Sequence, residues 1–153
     1  MRRTLALSLV AALSLSTAAP LAAQPAAQTT AQNAAQNSAN EPITVELNAA
    51  EPAQNKCRVA FVIANKGATA IESLKLDLAI FNRDGVVQRR IVTEMAPLRR
   101  AKTIVKTFEL ENECGHIGSI LVNDVTACTP GDAAACLDRL TPSSKVSEIK
   151  FYK

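Results

Sequence analysis

Leu74-Lys75-Leu76-Asp77-Leu78-Ala79-Ile80 alternates bulky aliphatic side chains with other side chains along a short segment. In an extended chain the aliphatic residues would point to one side, and the two charged residues would point to the other. A repeat of two is the period of a β-strand, whereas a helix repeats its apolar positions every three or four residues. The segment therefore predicts a strand with one buried face.

Other segments repeat this pattern on both sides. Cys57 to Asn65 is nearly all apolar, which is typical of a central strand, and Asn82-Arg83-Asp84-Gly85 suits a hairpin turn because glycine readily takes a positive φ. Further strands are predicted over Ile43 to Leu47, Val86 to Glu94, Lys102 to Leu110, Gly118 to Cys128 and Val146 to Tyr152. About seven short strands separated by turns predict an all-β fold, an immunoglobulin-like antiparallel β-sandwich.

One long connection interrupts the predicted strands between Cys128 and Val146. Pro130-Gly131 marks a turn, and Asp132 is placed to cap a short helical turn from Ala133 to Leu140. Pro142 would stop this helical turn. We therefore expect one short helix in the last long loop of the domain.

The first 23 residues have the layout of a secretory signal peptide. Arg2-Arg3 gives a positive start, an apolar run follows from Leu5 to Ala19, and small residues precede a cleavage site near Ala23. Serines, a threonine and Pro20 break the apolar run before it reaches the roughly 20 residues of a membrane span. The arginine pair leaves the Tat export route open beside the general secretory route. We expect a periplasmic or secreted bacterial protein without a lipid anchor, because no cysteine lies near the cleavage site.

Residues 24 to 40 contain only Gln, Ala, Asn, Pro, Thr and Ser, and we expect them to form a disordered linker, either a tether or a neutral spacer. The folded domain is expected over residues 41 to 153. Without residues 1 to 23 the chain has 15 basic and 14 acidic side chains, a net charge of +1. This balance argues against nucleic-acid binding.

The domain has four cysteines, Cys57, Cys114, Cys128 and Cys136. In a chain addressed to an oxidising compartment, four cysteines predict two disulfides, for which three pairings exist. If Cys57 begins one strand and Cys114 follows the antiparallel neighbour of that strand, these two cysteines lie side by side. We therefore expect disulfides between Cys57 and Cys114 and between Cys128 and Cys136.

His116 is the only histidine, so a catalytic triad or a metal site would depend on it. The spacing of His116 and the cysteines matches no familiar zinc motif, and there is no Cys-x-x-Cys pair to form a reactive thiolate. Glu109, Glu111 and Glu113 alternate along a strand end and a loop, and nothing in the sequence places them in a cleft. The sequence predicts no enzyme activity, no metal and no cofactor.

The strongest local charge lies between residues 83 and 106, a segment with only two acidic residues, Asp84 and Glu94. Its basic residues are Arg83, Arg89, Arg90, Arg99, Arg100, Lys102 and Lys106. One interpretation is an anion-binding edge made by Arg89, Arg90, Arg99, Arg100 and Lys102, because guanidinium groups suit phosphate and carboxylate. The other is a solvated edge strand over Val86 to Glu94 that uses charge to resist aggregation.

Asn123 and Asp124 interrupt an otherwise apolar predicted strand. Buried polar groups need hydrogen-bond partners, so one interpretation is that the pair fixes a neighbouring turn or bulge. The other is a ligand contact at the rim of the sheet. The sequence alone leaves both interpretations open.

Val59 to Gly67, Leu74 to Phe81 and Asn82 to Val87 resemble the FxLYD-type domains of bacteria and small exported proteins labelled only as Tat-signal proteins. Leu78 to Asn82 stands where the name-giving motif reads Phe-x-Leu-Tyr-Asp. The resemblance covers roughly residues 43 to 128. It implies an immunoglobulin-like fold in an extracytoplasmic protein of no established activity, and it carries over no catalytic residue.

Together these features favour a non-enzymatic exported protein, an interaction or structural module whose partner is a protein or a component of the cell envelope. The alternative is an anion-binding protein that uses residues 83 to 106 to contact envelope phosphate, an acidic glycan or an acidic protein. No aromatic side chains are interleaved with these basic residues to stack on bases, so the segment does not predict nucleic-acid binding.

Overall fold

The computed structural model describes residues 41 to 153. In this range the chain forms eight strands and one helix. They are β1 (Ile43–Ala53), β2 (Lys56–Asn65), β3 (Ser73–Asn82), β4 (Val87–Glu94), β5 (Lys102–Leu110), β6 (Ile117–Thr129), α1 (Ala133–Arg139), β7 (Leu140–Ser144) and β8 (Lys150–Tyr152). A 3₁₀ turn, Cys114–His116, precedes β6. The predicted signal peptide over residues 1 to 23 and the predicted linker over 24 to 40 lie outside the described residues.

The strands form two four-stranded sheets. Sheet I has the order β5-β2-β1-β7, and sheet II has the order β4-β3-β6-β8. The aliphatic residues of β3 and β2 are buried between the sheets, and the Phe61 ring lies near the rings of Phe108 and Phe151, with centroids 6.1 and 5.2 Å apart. Each fully buried side chain of this size contributes about 1.5–3 kcal/mol to folding. The predicted all-β sandwich is therefore confirmed.

The register places the connections at two opposite ends of the sandwich. The end of β2 lies beside the start of β5, through the pair Asn65 and Lys102, and the end of β6 lies beside the start of β3. The β2–β3 loop, the β4–β5 loop and α1 therefore share one end, which we call the α1 end. The turns after β1 and β3 and the loops after β5 and β7 share the other, which we call the turn end.

The last part of the chain differs from the prediction of a single strand over Val146 to Tyr152. The helix ends at Arg139, and β7 follows at once and pairs in parallel with β1. Only β8 is a strand in the predicted range, and it pairs in parallel with β6. Pro142 lies within β7 instead of ending a helix. An outer strand tolerates it because the missing N–H leaves no central ladder bond unmade.

β6 is longer than its partner because it contains three bulges. It has 13 residues against 10 in β3, and the register shifts leave Gly118, Asn123 and Thr126 as the unpaired extra residues. Each bulge reverses which alternate residues face the core. This is why the apolar positions of β6 do not follow a period of two.

Two disulfides close the sandwich, one at each end. Cys57 at the start of β2 is bonded to Cys114 at the turn end, and Cys128 in β6 is bonded to Cys136 in α1. These are the pairs expected from the order of the strands. The first crosslinks residues 57 positions apart and the second residues 8 positions apart.

Candidate functional site

The predicted anion-binding residues lie along one side of the sandwich. β4 and β5 are outer strands of their sheets, and the β4–β5 loop joins them. β7 and β8 contact each other at the opposite side. We call the side formed by β4, β5 and their loop the β4–β5 side. The prediction that the strand over Val86 to Glu94 is an edge strand is therefore confirmed.

Arg90 does not belong to an open anion site, because its guanidinium is bonded within the domain. Its Nε and Nη2 donate to the two carboxylate oxygens of Asp77, which is 4% exposed on the outward face of β3. Asn123 Nδ2 also donates to Asp77, at 2.8 Å. The hydrogen bond from Arg90 holds the pKa of the Asp77 carboxyl below its ordinary value. Arg90 therefore neutralises a buried carboxylate.

Arg83 and Lys106 also have internal partners. Arg83 Nε donates to the carbonyl of Gly115 at the turn end, far along the molecule from the β4–β5 loop. Lys106 lies opposite Phe61, so its side chain points inward from β5, and its Nζ donates to the carbonyls of Glu94 and Ala96. An inward-pointing lysine on an edge strand hinders pairing with another chain. For these two residues the structure favours a structural role.

The remaining basic residues of the segment are free at the surface. Arg89, Arg99, Arg100 and Lys102 are exposed, and none of them makes a side-chain hydrogen bond or ion pair within residues 41 to 153. Lys66, in the β2–β3 loop, is also exposed and unpaired in this part of the chain. We call Lys66, Arg99, Arg100 and Lys102 the basic corner, because they lie at the α1 end on two neighbouring loops and on the first residue of β5.

A single buried amide holds the two loops of the basic corner together. Asn65 is 2% exposed, and its Nδ2 donates to the carbonyl of Thr69 at 2.8 Å and to the carbonyl of Arg99 at 3.3 Å. Its Oδ1 accepts the N–H of Gly67, and the N–H of Ala101 donates to the carbonyl of Gly67. The backbone that carries the four cations is therefore fixed before any ligand arrives.

Glu94 contributes one negative charge near the basic corner, and hydrogen bonds within the domain hold its carboxylate oxygens. It accepts hydrogen bonds from the Leu74 N–H and the Ser73 hydroxyl, each at 2.7 Å, and from the Ala96 N–H at 2.9 Å. Burial acts to raise the pKa of the Glu94 carboxyl, but these hydrogen bonds outweigh it and the pKa lies below its ordinary value. Glu72 is the one acidic residue of the two loops.

The described residues do not form a catalytic or metal-binding site around His116. Its side chain is 75% exposed, and its Nδ1 lies 4.0 Å from Glu113. Glu111 instead faces Lys56 at 3.0 Å, and Glu109 lies 3.6 Å from Arg58. Within residues 41 to 153 no group of three His, Cys, Asp or Glu side chains is arranged to hold a metal ion.

Asn123 and Asp124 are exposed rather than buried. Asn123 is a bulge residue that bonds Asp77, and the Asp124 carboxylate accepts the N–H of Val125 at 2.8 Å. These contacts support the interpretation that the pair fixes a bulge. The sequence could not show this, because a bulge is defined only by the partner strand.

Sequence reasoning missed Lys66 and Asn65, which precede the basic segment by about 20 positions. Lys66 reads as an ordinary turn residue beside Gly67, and Asn65 as the end of a strand. Only the pairing of β2 with β5 brings them against residues 99 to 102. The one sequence feature that pointed to a loop anchor was the asparagine at the end of an apolar strand.

Comparison of the chain with protein-family models, with curated proteins and with solved structures gave no match. The resemblance to FxLYD-type and Tat-signal proteins therefore stays a prediction. Among the described residues, the structure contains no helix with the length and apolar character needed to cross a bilayer.

Proposed function

We propose that this chain is a non-enzymatic, exported interaction module that binds anionic groups of its partner through the basic corner. The observation that carries the proposal is the set of four exposed cations, Lys66, Arg99, Arg100 and Lys102, on or directly beside two loops that Asn65 fixes together. Guanidinium and ammonium groups without internal partners keep their hydrogen-bond donors available for phosphate or carboxylate.

The energetics of the corner support binding over a purely solubilising role. Four like charges on adjacent loops repel one another, and a bound anion would relieve this repulsion. The loops lose little conformational freedom on binding, because Asn65 and the Ala101–Gly67 hydrogen bond already order them. Ordering of the loop backbone therefore adds little to the free-energy cost of binding.

The two disulfides support an oxidising location for this function, either the periplasm or the extracellular space. The apolar run of residues 5 to 19 supports export through a signal peptide cleaved near Ala23. The proposed partner is therefore a component of the cell envelope or its surroundings, such as phosphate-bearing lipid, an acidic glycan or an acidic protein.

The proposal is tested by the binding of the purified protein to immobilised heparin and to phosphatidylglycerol vesicles. We expect retention on at least one of them at low salt, and its loss near about 0.5 M salt, where the Debye length is only a few ångströms. The variant with Lys66, Arg99, Arg100 and Lys102 all changed to Gln should lose this retention.

A matched control removes the same charge elsewhere. Arg58, Lys75, Lys145 and Lys150 are exposed and lie outside the corner, and their joint change to Gln should leave most of the retention in place. Equal loss in both variants would show a net-charge effect, and retention of the corner variant at wild-type level would refute the proposal.

A further inference from the structure

We infer that the ligand is a linear anionic polysaccharide that lies along the β4–β5 side, from the basic corner to Arg89. This inference rests on the proposed function and specifies that its ligand is an extended chain. Arg89 is the one exposed and unpaired cation of the basic segment that lies outside the corner. It is paired in register with Ile80, so it points toward sheet I and into the space beside the two outer strands.

The distance between the corner and Arg89 requires an extended ligand. Arg89 lies five positions before Glu94, which is at the α1 end of β4. At about 3.3 Å for each residue of a strand, Arg89 lies roughly 17 Å from Glu94, where the chain enters the loop that carries Arg99 and Arg100. A single phosphate or carboxylate cannot reach both places, whereas a chain with repeated anionic groups can.

The β4–β5 side carries one negative charge along this distance. Glu94 is the only acidic residue between positions 87 and 108, and its oxygens are bonded to Ser73, Leu74 and Ala96. The Lys106 ammonium donates to the carbonyls of Glu94 and Ala96 and offsets the charge of the Glu94 carboxylate. A polymer on this side would therefore meet a net positive charge, carried by the basic corner and by Arg89.

The distribution of charge favours a polymer on the β4–β5 side over a membrane surface on the α1 end. Asp132 and Asp138 belong to the α1 region of the same end, and both are exposed. A flat anionic surface on this end would meet these carboxylates together with the cations. The loop residues next to the cations, Ala68, Pro97 and Ala101, are small and cannot reach far into an acyl layer.

The test uses heparin fragments of two lengths, a disaccharide that the corner alone can bind and a dodecasaccharide that reaches Arg89. Dissociation constants are measured by isothermal titration at several salt concentrations. We expect Arg89→Gln to weaken binding of the dodecasaccharide and to lower its salt slope by about one, as for the loss of one charge contact. Binding of the disaccharide should not change.

The controls separate this inference from the proposed function. Lys150→Gln removes one exposed charge away from the β4–β5 side and should change neither fragment's binding. If Arg89→Gln affects both fragments equally, or neither, the extended path is wrong, while loss of binding in the corner variant would still support the proposed function. Tighter binding to phosphatidylglycerol vesicles than to the dodecasaccharide would also overturn the polysaccharide.

Discussion

Two carboxylates are bonded to groups of β3 or of its neighbouring strands in the folded protein. Asp77 faces outward under Arg90 and Asn123, and Glu94 reaches back from the end of β4 to the N–H of Leu74. Both have a pKa below the ordinary value in the folded protein. Each one therefore couples folding to pH through contacts that the unfolded chain lacks.

The stability of the protein should fall at acid pH because of these two groups. Since the pKa of each carboxyl is lower in the folded state, the unfolded chain takes up protons first as the pH falls. The contribution of each group is complete above its unfolded pKa of about 4 and is lost as the pH drops through the folded pKa. Urea denaturation should therefore show a midpoint that falls steadily below about pH 5.

Substitution should reveal which carboxylates cause this dependence. The double variant Asp77→Asn and Glu94→Gln should be less stable than wild type at neutral pH and should lose less stability between neutral and acid pH. Asp84→Asn, which changes an exposed residue of the β3–β4 turn, serves as the control and should follow the wild-type curve. A double variant with wild-type pH dependence would contradict the assignment.

The first bulge of β6 packs against the turn between β3 and β4. Gly118 is the extra residue of the first bulge, and it lies against the backbone of the β3–β4 turn. A Cβ atom at this position would be 2.6 Å from the carbonyl oxygen of Asn82 and 2.9 Å from the Cα of Arg83. Neither backbone atom can move aside as the end of a flexible side chain could.

Gly118→Ala should therefore destabilise the protein by about 1–3 kcal/mol, the usual cost of forcing extra volume into a packed region. The measurement is the free energy of unfolding in urea. Gly115→Ala is a matched control three residues earlier, where a Cβ atom would meet nothing within 4 Å. Equal stability of the two variants would mean that the turn does not pack against β6 as described.

The bulges of β6 also limit what the sequence could predict. The regular strands were predicted well, because the residues of Lys102 to Leu110 pair with β2 without any register shift. In β6 the buried residues Ile117, Ile120, Val122 and Val125 are two or three positions apart, a spacing that fits neither a simple strand nor a helix. β7 was missed because Leu140 to Ser144 contains a proline and few apolar residues. Its place is set by β1, which lies almost 100 positions earlier.

At the scale of the whole molecule, the two disulfides close both ends of the sandwich. In the chain-entropy model, the crosslink between Cys57 and Cys114 stabilises the fold by about 4 kcal/mol and that between Cys128 and Cys136 by about 2.5 kcal/mol, because the first closes a much longer loop. These values are large against the 5–15 kcal/mol typical of a whole domain.

Removal of the two disulfides should therefore have unequal effects. Cys57→Ala with Cys114→Ala should lower the free energy of unfolding more than Cys128→Ala with Cys136→Ala, by about 1–2 kcal/mol. Both variants are compared with the oxidised protein by urea denaturation. Mass spectrometry of the native wild-type protein after alkylation should find no free thiol, and a labelled cysteine would contradict the paired state.

The candidate site was only partly predictable from the sequence, because it depends on which strands the whole fold places side by side. The sequence identified Arg89, Arg99, Arg100 and Lys102 as one basic segment, but it could not separate them from Arg90, whose partner Asp77 lies on another strand. Nor could it add Lys66, which joins the group through the pairing of β2 and β5. Charge along a chain predicts charge on a surface only where the fold leaves it unpaired.

Asn65 holds the two loops through their main chain. The side chains that would bind a ligand are therefore separate from the contacts that stabilise the loops. The Asn65 amide bonds the main-chain carbonyls of Thr69 and Arg99 and makes no use of the side chains at these positions. Residues 99 and 100 can therefore be exchanged for others while the scaffold beneath them stays the same. Natural drift, or a library built at these positions, can give the domain a new binding preference at little risk to its solubility or yield.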